Sequence, residues 1–259
     1  MQEVILEKHD HSHKIADICP FYKANVTTSS IFILDGKILG FYLKELPEKV
    51  RQLLTIADTE FRSDRVDKDL MRRGTKEQAA ARGQDGPVQQ FSAMLGGTPS
   101  KEHFKRFYKG ISKATHDKKS QLFAQSMYAL ALECEDILKE HMPEQYEYQS
   151  NWIRDNVAEP YRIGSMFTSS ISNFNIAAPF HQDKANLKRS TNIILTRRQD
   201  SLGGCLTVPE YGATIEQADL SMLVYPAVSN IHAVTPIVAR KKGGYRNSFV
   251  FYALKNMKS

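Results

Sequence analysis

Three side chains in the second half of the sequence have the types and spacing of a metal site. His181 and Asp183 are separated by one residue and follow a run of β-forming residues, and alternate residues of a strand point to the same face. His232 is the only histidine that comes after them. Two imidazoles and one carboxylate on a β scaffold are the ligands that hold Fe(II) in a facial triad and leave coordination positions open. An isolated His-x-Asp triplet also arises by chance, so the context downstream decides between the two interpretations.

An arginine and a serine downstream of the last histidine indicate a site for a carboxylate. Arg246 and Ser248 lie two residues apart in a predicted strand, and therefore on one face. A buried guanidinium pairs with a carboxylate through two parallel hydrogen bonds, and a serine hydroxyl can add a third donor. With a metal triad on the same sheet, the pair predicts a pocket for the distal carboxylate of a dicarboxylate ligand. Taken alone, Arg246 would be an ordinary surface cation on an edge strand.

Several short motifs accompany these residues. They are Asn173-Phe174-Asn175, Gly203-Gly204-Cys205-Leu206, Pro209-Glu210-Tyr211-Gly212 and Ile231-His232-Ala233-Val234-Thr235-Pro236. Together with the H-x-D…H…R order, they resemble the Fe(II)/2-oxoglutarate-dependent dioxygenases of the double-stranded β-helix fold. Within that superfamily the sequence is most similar to the TET and base-J-binding-protein (JBP) nucleobase hydroxylases, as a compact phage or microbial member would be. The resemblance covers roughly residues 161–254, and the N-terminal half contains no matching motif and no cysteine-rich zinc region.

The resemblance implies a cofactor set and a role for each matching residue. His181, Asp183 and His232 would be the catalytic Fe(II) ligands. Arg246 and Ser248 would bind the C5 carboxylate of 2-oxoglutarate, with O2 as the second cosubstrate and ascorbate as a stimulating reductant. We therefore expect a 2-oxoglutarate-dependent dioxygenase.

The same resemblance implies a substrate class. In the nucleobase branch of this family, the reacting group is the methyl of thymine or 5-methylcytosine in DNA. A methyl group inside a duplex cannot reach the iron, so the base must be flipped out or met in a single strand. Asn173 and Asn175 would line this pocket or bind the C1 carboxylate of 2-oxoglutarate; asparagines in a turn are the equal alternative.

Positive charge is concentrated in one segment, which makes it the predicted nucleic-acid surface. The chain carries 35 Lys and Arg against 29 Asp and Glu, a net charge of +6. Residues 60–119 hold 14 of the former and 8 of the latter, so this segment alone has 14 − 8 = +6. Arg72 and Arg73 beside a glycine, and Lys105 and Arg106 among aromatic residues, are the predicted phosphate and base contacts. A solvated helix face explains the second pair equally well.

Two different sequence textures frame the predicted site. Residues 161–259 consist of short β-like runs bounded by turn residues. Residues 1–160 contain a hairpin signal at Asp35-Gly36, a long polar loop over 58–97 that could act as a lid, and an amphipathic helix over 118–141. We therefore expect an α+β fold in which a mostly helical N-terminal region, 1–160, packs on a double-stranded β-helix (jelly-roll or cupin-like) catalytic core, 161–259.

Composition excludes several classes of protein. The chain is 41% hydrophobic and 25% charged, as is typical of globular domains. No run approaches the roughly 20 apolar residues of a membrane helix, and the polar N-terminus is unlike a secretory signal. We expect an intracellular, cytoplasmic protein without a membrane partner, in the host cytoplasm if phage-encoded. Three isolated cysteines favour no disulfide framework, and His9, His11 and His13 are either a polar surface segment or an adventitious metal site.

Three functions compete at this point. The first is hydroxylation of a nucleobase methyl group in DNA. The second directs the same iron and 2-oxoglutarate chemistry to a small molecule or a protein side chain. The third is a β-barrel binding module without turnover, and the presence of all three metal ligands together with Arg246 argues against it.

Overall fold

The computed structural model describes residues 1–70, 90–100 and 108–258. It is an α+β fold in which a large, mostly antiparallel sheet faces a smaller one, with helices on the outer side of the large sheet. The predicted fold class is confirmed. Within the described ranges, no helix combines the length and the apolar character needed to cross a bilayer.

Four α-helices belong to the described part of the chain. They are α1 (Glu48–Arg62), α2 (Lys113–His116), α3 (Gln121–His141) and α4 (Pro143–Asn156). The predicted long helix begins with a 3-10 turn at Lys118–Ser120 and continues as α3. Pro143 lacks an amide hydrogen, so it cannot extend α3 and instead starts α4.

Sixteen strands belong to the described part. They are β1 (Gln2–Ile5), β2 (Ser30–Leu34), β3 (Lys37–Leu43), β4 (Asp69–Leu70), β5 (Phe91–Thr98), β6 (Gly110–Ile111), β7 (Ser169–Phe174), β8 (Ala178–His181), β9 (Asn192–Gln199), β10 (Ser201–Gly203), β11 (Leu206–Val208), β12 (Ala213–Ile215), β13 (Ser221–Tyr225), β14 (His232–Val234), β15 (Ile237–Ala239) and β16 (Tyr245–Tyr252).

The large sheet has the order β1-β2-β3-β13-β9-β16-β7-β5-β4, with β6 attached to β5. The small sheet has the order β12-β11-β14-β8, and β10 pairs with β15. The predicted hairpin joins β2 to β3 through Asp35 and Gly36, whose φ angles are 51° and 73°. Two successive positive φ values are characteristic of the turn that matches the twist of a hairpin.

One apolar core lies on each face of the large sheet. Alternate residues of β16 show the division: Phe249 and Phe251 pack with α1 and α3, whereas Val250 packs toward the small sheet. The rings of Phe61 on α1 and Phe249 are 5.7 Å apart and perpendicular. The helices therefore support β16 from behind and leave its other face to the space between the sheets.

The predicted loop over residues 58–97 is partly wrong. Helix α1 continues to Arg62, and β5 runs beside β7 with Phe91 opposite Phe174, their rings stacked at 4.5 Å. Thr98 ends this strand. Small and polar residues hid the strand: Gly96 has a φ of +80°, and a Cβ there would lie 2.6 Å from the carbonyl oxygen of Thr168. Residues 71–89 of the predicted loop lie outside the described part.

Strands from both halves of the sequence share the large sheet. β1 to β6 come from the first 111 residues, and they pair with β13 and β7 from the second half. β-Pairing therefore crosses the predicted domain boundary near residue 160, and that boundary stays a prediction.

Candidate active site

Strand pairing brings the two predicted histidine ligands together. His181 ends β8, His232 begins β14, and the two residues are directly opposite each other in the antiparallel register. Their ring centroids are 4.3 Å apart. Cross-strand neighbours have adjacent side chains, so the pairing converts a separation of about fifty residues in sequence into one site.

Backbone carbonyls fix the tautomer of both rings. Nδ1 of His181 is 2.8 Å from the carbonyl oxygen of Pro179, and Nδ1 of His232 is 3.1 Å from that of Asn230. A carbonyl only accepts hydrogen bonds, so each Nδ1 carries the proton and each Nε2 keeps its lone pair. Burial, reinforced by neighbouring His181, lowers the pKa of His232 to about 4. The ring is therefore neutral at physiological pH, as a metal ligand must be.

Asp183 completes the group and is itself held by an amide. Its Oδ1 lies 3.6 Å from Nε2 of His181, and one ligand atom from each of the three residues lies within 4.8 Å of the others. Its Oδ2 accepts a hydrogen bond from Nδ2 of Asn192 at 3.2 Å. Asn186 in turn donates to Oδ1 of Asn192 at 2.9 Å. Oδ1 of Asp183 is left facing the histidines while Oδ2 is engaged.

These three residues sit in a cavity of about 550 Å³ between the two sheets. Apolar side chains from both sheets form much of its wall, among them Ile171, Ala178, Ile194, Leu206, Val234 and Val250. Ligand cavities commonly have this size and combine an apolar wall with a few polar groups. Here the polar groups are the three candidate metal ligands and the residues described next.

Arg246 lines the same cavity as a buried cation. Only 3% of its surface is exposed, and it forms no ion pair with any carboxylate of the described residues. Among the described residues, Nε of Arg246 has no hydrogen-bond partner. Burial, with Arg198 opposite it on β9, lowers the pKa of Arg246 to about 10, so it remains charged. An unpaired buried cation is costly, and a ligand carboxylate would satisfy it.

The neighbours of Arg246 shape this anion site. Gly204 has a φ of +67°, and a Cβ there would be 3.2 Å from Cδ of Arg246. Ser248 and Asn173 also line the cavity and are cross-strand partners on β16 and β7. The glycine therefore makes room for the arginine, and the predicted cofactor residues are brought together. The individual roles of Ser248 and Asn173 toward a ligand stay predictions.

Asn175 lies in a turn, which was the alternative to a role in lining the pocket or binding the C1 carboxylate. Its φ is 55°, its Oδ1 accepts a hydrogen bond from the backbone N of Arg246 at 2.8 Å, and its own N donates to the carbonyl of Arg246 at 2.9 Å. Asn175 thus clamps the backbone of Arg246.

Sequence reasoning missed two supports of the site. Asn192 is one, since its contact with Asp183 depends on the fold of the intervening loop. Asp58 is the other: it is 1% exposed on α1 and accepts hydrogen bonds from the Tyr245 hydroxyl, at 3.1 Å, and from Nδ2 of Asn247. These two partners alternate with the cavity residues of β16, so Asp58 fixes the strand from behind.

Four of the predicted site residues lie outside the described residues: Arg72, Arg73, Lys105 and Arg106. The N-terminal histidines do not form a metal cluster: within the described ranges, the only group of three candidate ligands is the one around His181. The ring of His13 stacks on Phe180 at 4.2 Å instead.

The residues present fit Fe(II) and 2-oxoglutarate. Two imidazole Nε2 atoms and one carboxylate oxygen are the donor set of the facial triad. The buried, unpaired guanidinium of Arg246 suits the far end of a dicarboxylate. Both features open into one cavity.

A family comparison agrees with this chemistry, and structural comparisons report similarity of fold. The model of the Tet_JBP family, described as the oxygenase domain of the 2OGFeDO superfamily, matches residues 97–255. The structure of NgTET1 in complex with 5mC DNA is similar with a TM-score of 0.62 at 11% identity, over 100% of this chain and 84% of that one. A prolyl hydroxylase from Trichoplax adhaerens, in complex with a hypoxia inducible factor peptide fragment, gives a TM-score of 0.43 at 12% identity, over 85% of this chain and 86% of that one. No curated protein sequence matches.

Proposed function

The chain belongs to the Tet_JBP family of oxygenase domains in the 2-oxoglutarate/Fe(II) dioxygenase (2OGFeDO) superfamily, and from this premise we propose that it hydroxylates the methyl group of 5-methylcytosine or thymine in DNA. The protein is a 2-oxoglutarate-dependent dioxygenase whose cofactors are Fe(II) and 2-oxoglutarate. The choice of substrate is the proposal.

The residues of the cavity have distinct tasks in this reaction. His181, Asp183 and His232 bind the metal, and Arg246 pairs with the C5 carboxylate of 2-oxoglutarate, assisted by Ser248. With Fe(II) and 2-oxoglutarate held by these residues, the site would supply O2 activation coupled to conversion of 2-oxoglutarate to succinate and CO2.

The protein contributes orientation and a dry wall. Backbone carbonyls keep the proton on Nδ1 of both histidines, so the Nε2 atoms stay available. Asn192 holds Oδ2 of Asp183, which leaves Oδ1 to the metal. The apolar side chains of Ile171 and Ile194 exclude water from the same space, which protects a reactive centre from side reactions.

The observation that carries the proposal is the cavity that unites the metal ligands with unpaired Arg246 in a chain of the Tet_JBP family. The structure of NgTET1 in complex with 5mC DNA is similar over 100% of this chain. A base can enter a recessed cavity only after extrusion from the stack or from a single strand. At about 550 Å³ the space exceeds what a five-carbon dicarboxylate fills, which leaves room for a base.

Mass spectrometry of nucleosides tests the substrate directly. The protein is incubated with Fe(II), 2-oxoglutarate, O2 and DNA that contains thymine and 5-methylcytosine, and the DNA is then digested. We expect hydroxymethyl nucleosides, formed together with succinate and absent when 2-oxoglutarate is omitted.

The same experiment separates the competing substrates. Succinate formation without oxidised nucleosides, on single-stranded and duplex DNA alike, would contradict the proposal and favour a small molecule or a protein side chain. The Asp183→Ala variant is the matched control, because any nucleoside oxidation that it retains does not come from this site.

A further inference from the structure

Two chain segments form one wall of the cavity next to the metal ligands. Residues 184–190 follow Asp183 directly, and they are bonded to the C-terminal segment 253–258 through Leu187 N to the carbonyl of Ala253, at 2.7 Å, and Lys255 N to the carbonyl of Ala185, at 3.2 Å. Lys184 and Ala185 line the cavity and are also exposed. The cavity therefore reaches solvent at this wall.

The wall carries only positive charge. We call its cations the rim surface: Lys184, Lys188, Arg189, Lys255 and Lys258. The two segments contain no Asp or Glu. All five side chains belong to exposed residues, and none takes part in an ion pair within the described residues. Lys184 lines the cavity, and the other four cations lie on the same two segments; a cluster of like charges of this kind creates a field that attracts anions.

Two cations elsewhere on the catalytic strands have acidic partners. Arg197 on β9 pairs with Asp219 at 2.5 Å, and Lys241 after β15 pairs with Asp200 at 3.5 Å. Arg240, next to Lys241, is exposed and has no ion pair within the described residues, so the rim surface is distinguished by five cations on two segments that contain no acidic residue.

Arg189 is positioned by its surroundings. Its guanidinium lies 4.7 Å from the ring centre of Tyr148 on α4, and its carbonyl accepts a hydrogen bond from Gln145 at 2.9 Å. Glu144 and Glu147 lie on the same helix, but neither forms an ion pair with a rim cation in the described structure. A cation over an aromatic face is attracted by the ring, and the guanidinium keeps N–H donors that an anion can accept from.

An exposed aromatic side chain adjoins the same surface. Nζ of Lys109 donates to the carbonyl of Lys258 at 2.5 Å, which places residue 108 beside the C-terminal segment. Tyr108 is 84% exposed. Cations interleaved with an exposed aromatic ring suit a nucleic acid, which offers phosphates and stacking bases, better than an acidic peptide, which offers carboxylates alone.

We propose that the rim surface binds the phosphodiester backbone of the nucleic acid strand whose base enters the cavity. The inference deepens the proposed function and rests on it for the identity of the base. It assigns the phosphate contacts to residues next to the metal ligands, in addition to those predicted at 60–119. Contacts of this kind position the strand and carry no sequence information.

Salt-dependent binding tests the rim surface. Affinity for a fluorescent oligonucleotide with one 5-methylcytosine is measured by anisotropy at rising KCl for the wild type and for K188Q/R189Q/K255Q. Lys184 is left in place because it adjoins a metal ligand. We expect the slope of log Kd against log [KCl] to fall by about three, one for each lost phosphate contact. Binding of unmodified DNA weakens by the same factor, because phosphate contacts ignore sequence.

Two further variants control for charge. K49Q/R51Q/K139Q also removes two lysines and one arginine, but from α1 and α3 on the opposite face of the large sheet. Its slope of log Kd against log [KCl] stays at the wild-type value. The charge-preserving variant K188R/R189K/K255R restores the slope. An unchanged slope in K188Q/R189Q/K255Q, or an equal loss in the helix variant, would overturn the inference.

The outcomes separate the inference from the proposed function. Oxidised nucleosides from a wild type whose binding does not depend on the rim surface would leave the function standing and refute the rim contact. DNA binding that depends on the rim surface, without nucleoside oxidation, would support the rim contact and refute the proposed function. Displacement of DNA by a polyglutamate peptide of equal charge at equal concentration would refute the assignment to nucleic acid.

Discussion

Two buried charges in this protein are treated in opposite ways. Glu135 on α3 is 4% exposed, and its carboxylate accepts hydrogen bonds from the backbone N of Ser165, at 2.9 Å, from the Ser165 hydroxyl, at 2.7 Å, and from the backbone N of Met166, at 3.0 Å. Arg246 is 3% exposed and has no carboxylate partner among the described residues. We call a buried charge saturated when hydrogen bonds from the protein satisfy it, and unsaturated when it has no partner of opposite charge. A saturated buried charge stabilises the fold, whereas an unsaturated one is a binding site for a ligand.

Removal of a metal ligand has the largest expected effect. His181→Ala or Asp183→Ala abolishes succinate formation, since each deletes one of three metal ligands. The thermal midpoint stays near that of the wild type, because His181 and Asp183 are only partly buried. His116→Ala, at an exposed histidine on α2, is the control and keeps full activity. Full activity in either ligand variant would refute the metal site.

Local sequence spacing made the residues of the site predictable. Asp183 lies two residues after His181, the last residue of β8, and Arg246 and Ser248 are two residues apart within β16, so residue type and spacing identified them. The register that places His232 opposite His181 is a tertiary fact. Before the structure, His232 was connected with His181 because it is the only histidine downstream of it and because of the family resemblance.

The saturated residues were not predictable. Glu135 meets Ser165 across thirty residues, and Asp58 meets Tyr245 across 187. A buried acid on a helix has the same sequence signature as an exposed one until its partners are known. The strand β5 was missed for a related reason: its small residues have weak β propensity, and its neighbours in the sheet compensate for that.

Removing a saturated charge should cost stability and spare the chemistry. Glu135→Ala removes the acceptor of the buried backbone N of Met166 and of two donors of half-buried Ser165, so the free energy of unfolding falls by about 3 kcal/mol. The concentration of 2-oxoglutarate for half-maximal rate stays unchanged below the melting transition. Denaturant unfolding and succinate formation measure the two quantities. Glu140→Ala, at an exposed position of the same helix, is the control with little effect. A normal stability for Glu135→Ala would break the comparison.

Removing the unsaturated charge should do the reverse. Arg246→Met keeps most of the side-chain volume and leaves no carboxylate orphaned within the described structure, so the free energy of unfolding changes by less than about 1 kcal/mol. The 2-oxoglutarate concentration for half-maximal rate rises about a hundredfold, as expected for the loss of charge-assisted hydrogen bonds worth about 3 kcal/mol. Arg240→Met, at an exposed arginine, controls for net charge. An unchanged 2-oxoglutarate requirement would contradict the role of Arg246.

Asn192 supports a candidate metal ligand through a hydrogen bond, and its substitution has the smallest expected effect. Its amide saturates one oxygen of Asp183 and leaves the other free for the metal. In Asn192→Ala the carboxylate keeps its charge but loses its orientation, so affinity for Fe(II) falls about tenfold, at the low end for residues that support a metal ligand. Anaerobic metal titration of the protein measures this without turnover. Asn156→Ala removes an amide that donates to the carbonyl of Trp152 on its own helix and leaves the affinity unchanged. If saturating iron restores the rate of Asn192→Ala, the residue acts on metal binding alone; unaltered iron affinity would show that Asp183 does not need the amide.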